Sequence, residues 1–495
     1  MTYSPAISKQ TSCNRPTAQN MGHAAASANL TDANTSAHLT EDTLSQIAQS
    51  LPPNDLALFG GSPVRSQPYP SWPISDSRDI SALSAVVQSG RWGGAPYPGP
   101  KTQQFAQQFT AMQAGSTSSY QAVPMANGSL TMEVALRTLD IGWGDEVIVP
   151  AYTFQATAAA VIAAGAVPVL VEIDAQTYCI SPEAINAAIT PKTKAVIPVH
   201  LGAQIADMDA IMAIAHRHNL FVIEDCAHAT GAQWNEQGVG TFGHFGSFSL
   251  QSNKILTTGE GGVLLCRDAA LSEKAASIIN CGRKPTSQQE NSLSAQLAQF
   301  IKLQGQEETV SMGINYRMSE FQAALGTVAL ERFGKQVEER ENSLNALEKK
   351  IKHIPGVRLL KRDRRHTKRA FYRYIFALVP SEFGATHDEV CFALQAEGIP
   401  AHQGYPPLHR CTLFQPLNSQ LPVPSAYPEK FDFSNLHLPE TERACQTEAI
   451  WLDERIFRAG EQGIEDCASA IEKVQRQAAI LSEAKAKFLK RCVYA

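Results

Sequence analysis

The most regular pattern of apolar and polar positions lies between Gln121 and Cys266, where short apolar runs ending in glycine or polar residues alternate with alanine-rich stretches of helical period. Residues 146–149, 167–173, 195–199, 220–223, 247–250 and 263–266 predict strands, and 130–139, 156–164, 182–189 and 208–216 predict the helices between the earlier of them. That order implies an α/β fold of three layers, a mainly parallel central sheet covered by helices. Open sheets of this kind bind ligands beyond the carboxyl ends of their strands, so polar residues directly after strands are the place to seek chemistry.

Outside this block the pattern weakens. Residues 80–88 and 102–112 predict helices, the second with Phe105 and Phe109 four apart on one face, and turn-rich segments with aromatics (59–63, 69–73, 90–94, 96–100) read as chain wrapped over a larger body. A Glu/Lys/Arg-rich helical pattern from Met318 to about Lys352 reads as a spine leading to a smaller α+β domain, with a strand at 371–379 and a Pro-rich loop near Tyr405. Residues 1–55 are rich in Ser, Thr, Ala, Asn and Gln with little periodicity, the composition of a mobile arm; a short helix over 40–51, capped by Thr40-Glu41-Asp42-Thr43, is the alternative. The expected division is an arm at 1–55, a large domain at 56–345, a small domain at 346–480 and a tail at 481–495. The basic run Lys361-Arg362-Asp363-Arg364-Arg365 invites a phosphate-binding reading, but a solvated loop is the plainer one.

Composition narrows the class of partner. With 495 residues the chain holds two or three domains, and no apolar run approaches the ~20 residues of a membrane-spanning helix. A net charge of −5, with both signs mixed, argues against nucleic acid and for a small molecule. Ten cysteines without a Cys-x-x-Cys pair suit reduced thiols better than a disulfide framework or a zinc site, so no metal is expected. Met1 to Gln10 lacks the apolar core of a secretory signal, which makes the cytoplasm the expected location.

Four pieces could carry chemistry. In Ser247-Phe248-Ser249-Leu250-Gln251-Ser252-Asn253-Lys254 a strand runs into a single lysine, and a glycine-rich turn, Thr257-Thr258-Gly259-Glu260-Gly261-Gly262, follows. A desolvated lysine there can form a Schiff base with a carbonyl, because burial leaves the amine neutral; a surface lysine in a loop is the competing reading. Leu220-Phe221-Val222-Ile223 ends in Glu224-Asp225-Cys226-Ala227-His228. Pyridoxal phosphate needs an acid at its ring nitrogen, and Asp225 suits that role, with Glu224 turned away because side chains alternate along a strand. His228 could sit over the ring, or simply pack. Ala126-Asn127-Gly128-Ser129 precedes a helix and could hold phosphate, although N-capping by Asn or Ser explains it alone. In Pro150-Ala151-Tyr152-Thr153-Phe154 one of two aromatics after a strand could stack on a flat ring.

The ordered set, phosphate turn, aromatic, strand-tip acid, then lysine 29 residues later, resembles fold-type I pyridoxal-phosphate enzymes. The wording of the motifs is similar to the DegT/StrS family of sugar or cyclitol aminotransferases over about 56–472, through Asn127-Gly128-Ser129, Gly144-Asp145-Glu146-Val147-Ile148-Val149-Pro150, Glu224-Asp225-Cys226-Ala227-His228-Ala229, Thr258-Gly259-Glu260-Gly261-Gly262 and Gly313-Ile314-Asn315-Tyr316-Arg317-Met318. The resemblance implies pyridoxal 5'-phosphate as cofactor, Lys254 as the Schiff-base lysine, Asp225 as pyridinium partner, Phe154 as stacking ring and His228 beside the cofactor. It implies Gly128, Ser129 and Ser249 as phosphate contacts, and Asn315 reaching the phosphate from the other subunit of a homodimer with composite sites. Tyr405, His409 and Arg317 are implied near the substrate. The activity implied is transfer of an amino group from glutamate or glutamine to a keto-sugar or cyclitol. Gln251 and Trp451-Leu452-Asp453 are similar to the branch acting on inosose-like ketones or making aminohydroxybenzoate, with nucleotide-linked keto-sugars kept open. A lysine-free dehydratase is disfavoured by Lys254, and a binding or regulatory protein that kept the fold remains the non-enzymatic alternative.

Overall fold

The computed structural model describes residues 48–95, 97–116, 118–283 and 309–493. The possible helix over 40–51 lies outside this range up to residue 47, and a stretch of polar sequence at 288–308 lies outside it altogether. The chain builds a seven-stranded sheet from β1 (Gln121–Met125), β2 (Glu146–Pro150), β3 (Val167–Val171), β4 (Thr193–Val196) and β5 (Phe221–Asp225). After the short β6 (Gln233–Trp234) and β7 (Gln237–Gly238), β8 (Phe245–Ser249) and β9 (Gly262–Cys266) complete it in the order β1-β9-β8-β5-β4-β2-β3. All strands but β9 run in one direction. The α/β reading therefore holds, with one antiparallel strand in a mainly parallel sheet.

Period-two alternation sets both faces of this sheet in core. Val147 and Val149 face one apolar cluster and Ile148 the other; Val222 and Ile223 on β5, and Leu264 and Leu265 on β9, divide in the same way. One strand, β1, was not foreseen, because Gln-Ala-Val-Pro-Met carries a proline. It lies at the sheet edge, with β9 its one neighbouring strand among the described residues, where the missing amide hydrogen does little harm.

The spine is a helix over Glu320–Ile351, started by a capping box in which Ser319 and Gln322 satisfy each other's backbone amides. It leads to β10 (Val357–Leu359), β11 (His366–Lys368), β12 (Arg373–Leu378), β13 (Ala401–His402) and β14 (Ala449–Asp453). Four of these form an antiparallel sheet, β10-β12-β14-β13, over a third core that includes Leu344, Phe376, Leu394 and Ile471; β11 instead pairs with β6 of the first half. Leu56, placed at the start of the large domain in the sequence reading, is fully buried in this third core. Residues 481–493, read as a tail, belong to the helix Ala478–Val493, whose Leu481 is buried against the same core. Ser50 and Asp55, read as part of a mobile arm, bond to Lys487 and Gln477 of the C-terminal helices.

The basic run is structural. Arg365 pairs with Asp207, Asp209 and Asp363 and lies 4.4 Å from the centre of the Trp234 ring. Among the described residues no helix is long and apolar enough to cross a membrane.

Candidate active site

Strands β1, β2, β5 and β8 end at one edge of the large sheet, and the residues that follow them converge on a cavity of about 610 Å³. Gly128, Ser129, Phe154, Asp225, His228, Ser249, Lys254 and Tyr405 all line it. Tyr152, the other aromatic of its segment, turns into the core, where Trp451 Nε1 donates to its hydroxyl at 2.7 Å.

Asp225 ends β5 and is buried, accepting hydrogen bonds from the Thr157 hydroxyl at 2.9 Å and the Ala227 amide at 3.1 Å. Burial raises its pKa, against the pull of those two donors and of Lys254. Lys254 reaches toward it from the loop after β8. Burial lowers the amine to about 7, opposed by Asp225 and assisted by the positive charge of Arg373. The lysine is thus poised to be partly neutral at neutral pH, as a nucleophile or proton acceptor must be.

Glu224 faces the other way. Its carboxylate accepts from the amides of Gly240, Phe242 and Gly243, and from His200 Nε2 at 3.3 Å. Because the Ala206 amide donates to His200 Nδ1, the ring proton sits on Nε2. His200, Glu224 and Cys226 have ligand atoms close enough to hold a metal ion, but these carboxylate and ring atoms are already committed to pinning the end of β5.

At the head of the helix Gly128–Thr138, Asn127 Oδ1 caps the Leu130 amide. A Cβ on Gly128 would lie 2.7 Å from that of Ser249, so only glycine lets the turn approach β8 this closely. The first turn of this helix, through Gly128, Ser129 and Leu130, lines the cavity together with Ser249.

Three predicted residues lie elsewhere. His409 is buried with Nε2 2.8 Å from Glu442 and does not line the cavity. Arg317 donates to Asn280 at 2.8 Å and borders a second cavity of about 580 Å³. Asn315 is exposed on the surface of the chain, outside the Lys254 cavity.

The site also contains residues that no sequence motif marked. Thr157 is held by its place on the helix Ala156–Ala163. Tyr372, next to β12, has its ring centre 4.0 Å from Lys254 Nζ.

The model of the DegT/DnrJ/EryC1/StrS aminotransferase family matches residues 73–449, most of the chain. The chain belongs to that family. It is a transaminase by this membership. It is 38% identical over 429 residues to a Streptoalloteichus tenebrarius protein described provisionally as an L-glutamine:3-amino-2,3-dideoxy-scyllo-inosose aminotransferase, with 86% of this chain and 98% of that one covered. It is 36% identical over 423 residues to the L-glutamine:2-deoxy-scyllo-inosose aminotransferase of Micromonospora echinospora, with 85% and 97% covered. The crystal structure of 3-amino-5-hydroxybenzoic acid synthase superposes with a TM-score of 0.70 at 29% identity, over 83% of this chain and all of that one. In this aminotransferase the family match takes in the large sheet, the spine and the smaller sheet as far as the first residue of β14, so Tyr372 and Tyr405 stand within the matched region with Lys254 and Asp225.

Proposed function

We propose that this aminotransferase uses pyridoxal 5'-phosphate to move an amino group from glutamine, or glutamate, to the ketone of a cyclitol of the scyllo-inosose type, in the cytoplasm, as a homodimer. The observation that carries the reading is the facing pair, buried Asp225 and half-buried Lys254 with its depressed amine, in one cavity with a helix N-terminus at its wall.

The residues present fit the cofactor. A buried carboxyl raised by desolvation asks for a cationic partner, which a protonated ring nitrogen provides. His228 Nδ1 is buried without a partner at the cavity wall, and Gly128, where a Cβ would run into Ser249, lines the same cavity with its backbone alone. Bound pyridoxal phosphate supplies the carbonyl that receives the amino group and the electron sink that makes the neighbouring carbon acidic. Asp225 holds the proton on the ring nitrogen, steadied by Thr157. Gly128, Ser129 and Ser249 hold the phosphate, and Phe154 covers one face of the ring. Lys254 would anchor the cofactor and, as a free amine, would take a proton from the substrate carbon and give it back at the carbon on the other side of the transfer. Tyr405, hydrogen-bonded to His228 at 3.2 Å, faces the acceptor. Asn315 reaches the phosphate of the neighbouring subunit, which accounts for its exposure in the single chain. His409 and Arg317 act in structure, not on substrate.

The glutamine donor and inosose acceptor are supported by the names of the relatives, which the chain matches over nearly their whole lengths. The likeness to 3-amino-5-hydroxybenzoic acid synthase favours a second reading in which the same residues serve an aromatizing acceptor. The test is an absorbance spectrum with pyridoxal phosphate for wild type and Lys254→Ala, followed by glutamine and then scyllo-inosose or its 2-deoxy and 3-amino forms. A visible band in wild type alone, bleached by glutamine and restored by an inosose, is expected. Absence of the band in wild type defeats the lysine assignment, and bleaching without restoration by any inosose defeats the acceptor.

A further inference from the structure

Lys254 has one close aromatic neighbour that the reading above does not use. Tyr372 stands at the entrance to β12, on the short connection from β11. Its amide donates to the His228 carbonyl at 3.0 Å, and the two rings meet edge to face at 4.9 Å, so its position is fixed from the loop after Asp225. Two cations share its ring: Lys254 Nζ is 4.0 Å, and the Arg373 guanidinium 4.5 Å, from the ring centre. Arg373 also donates to the Tyr372 hydroxyl at 3.2 Å and is ion-paired with buried Asp453, which in turn holds Arg455.

We propose that Tyr372 is a positioning residue: its ring face holds the Lys254 side chain aimed into the cavity whenever the amine is not covalently engaged, and Arg373, anchored by Asp453, fixes that ring. The inference rests on the aminotransferase reading, in which the lysine must be released and then stay within reach of the reacting carbon. A long lysine chain otherwise loses its direction among several rotamers, and the ring offers both an apolar platform for the stem and an attractive face for the ammonium form. The other charged or titratable groups around the amine are Asp225 from β5, His228 from the loop after it, Tyr405 from the Pro-rich loop and Glu260 from the glycine turn. Asp225 favours the ammonium and Arg373 disfavours it.

The ring face attracts the ammonium form and not the neutral amine, so removing it has a signed effect on the titration. The experiment measures, by mass spectrometry of the Lys254 peptide, how fast trinitrobenzenesulfonate labels the neutral amine as pH is varied. It uses the full chain loaded with pyridoxamine phosphate, which leaves the lysine free, and again the full chain without added cofactor, so that failure of the cofactor reading shows itself separately as failure to bind. Relative to wild type, Tyr372→Leu lowers the labelling midpoint by about 0.5–1.5 pH units, while Tyr372→Phe, which keeps the ring, retains it. A midpoint unchanged or raised in a folded Tyr372→Leu protein overturns the proposal. Should that variant not fold, Tyr372→Met, which keeps apolar bulk and removes the ring, decides by the same reading: a lowered midpoint is expected, and an unchanged or raised one overturns the proposal.

Discussion

Two adjacent acids at the tip of β5 have opposite tasks, and their environments separate them. Glu224 is surrounded by donors, three amides and an imidazole, and has no access to the cavity. Replacing it by Gln sets an NH₂ group against amides that need an acceptor, so Glu224→Gln loses about 2–4 kcal/mol of stability by denaturant unfolding. A loss under about 1 kcal/mol contradicts the pinning role. Lys254 is predicted to leave a pH signature on the stability of the cofactor-free protein. Its amine titrates near 7 when folded and at its ordinary 10.5 when unfolded, so between those values the unfolded chain binds more protons. The burden of the buried amine is full below about pH 7 and is lost as the pH rises toward 10.5. Lys254→Met removes it. Its advantage over wild type in denaturant midpoint is therefore larger at pH 7 than at pH 9.5, and an advantage that grows with pH contradicts the depressed amine.

At the scale of elements, close approach of turns to strands shapes the site. Gly262, at the start of β9, would with a Cβ meet the Asn127 carbonyl oxygen at 2.4 Å and the Gly128 nitrogen at 2.8 Å. Both atoms are backbone and cannot swing aside. Gly262→Ala thus displaces the phosphate turn, and cofactor affinity is expected to fall about tenfold or more in a fluorescence titration, with a loss of about 1–3 kcal/mol in stability. Unchanged affinity would show that the turn is not part of the cofactor site. The same local character explains what the sequence made legible. The Lys254 loop, the Asp225 tip and the Gly128 turn are each a strand end followed by its own turn, so their chemistry is written in consecutive residues. Tyr372 and Thr157 were not legible, because their role depends on contacts with residues far away in the chain. β1 was hidden by Pro124, which an edge strand tolerates. β5 was read short of its true end because two acids do not look like strand residues, although one is satisfied by amides and the other faces the cavity. His409 shows the reverse case: a motif-like loop suggested a substrate contact, while the fold pairs the ring with Glu442 outside the Lys254 cavity.

At the scale of the molecule, separate parts of the chain meet around the lysine loop. Trp72, from the segment before the large sheet, donates through Nε1 to the Ser252 carbonyl at 2.8 Å. Its ring lies 5.4 Å from the Arg340 guanidinium of the spine and 5.0 Å from that of Arg458 beyond β14, and Glu454 binds both arginines. The spine, the wrapping segment and the end of the smaller sheet are thereby joined two residues before Lys254. Asn315 is exposed and lies outside the Lys254 cavity of its own chain. If it completes the site of a neighbouring copy, Lys254→Ala and Asn315→Ala are each inactive or nearly so alone, because every site lacks one group. Mixed, dissociated and reassociated in equal amounts, half of the dimers carry one defect on each chain. In those, one of the two sites receives an intact Lys254 from one chain and an intact Asn315 from the other. Activity should then return to about a quarter of the wild-type rate. A site built within one chain predicts no recovery, since each chain would still carry its own defect, and that result would return Asn315 to the surface as a residue without a catalytic task.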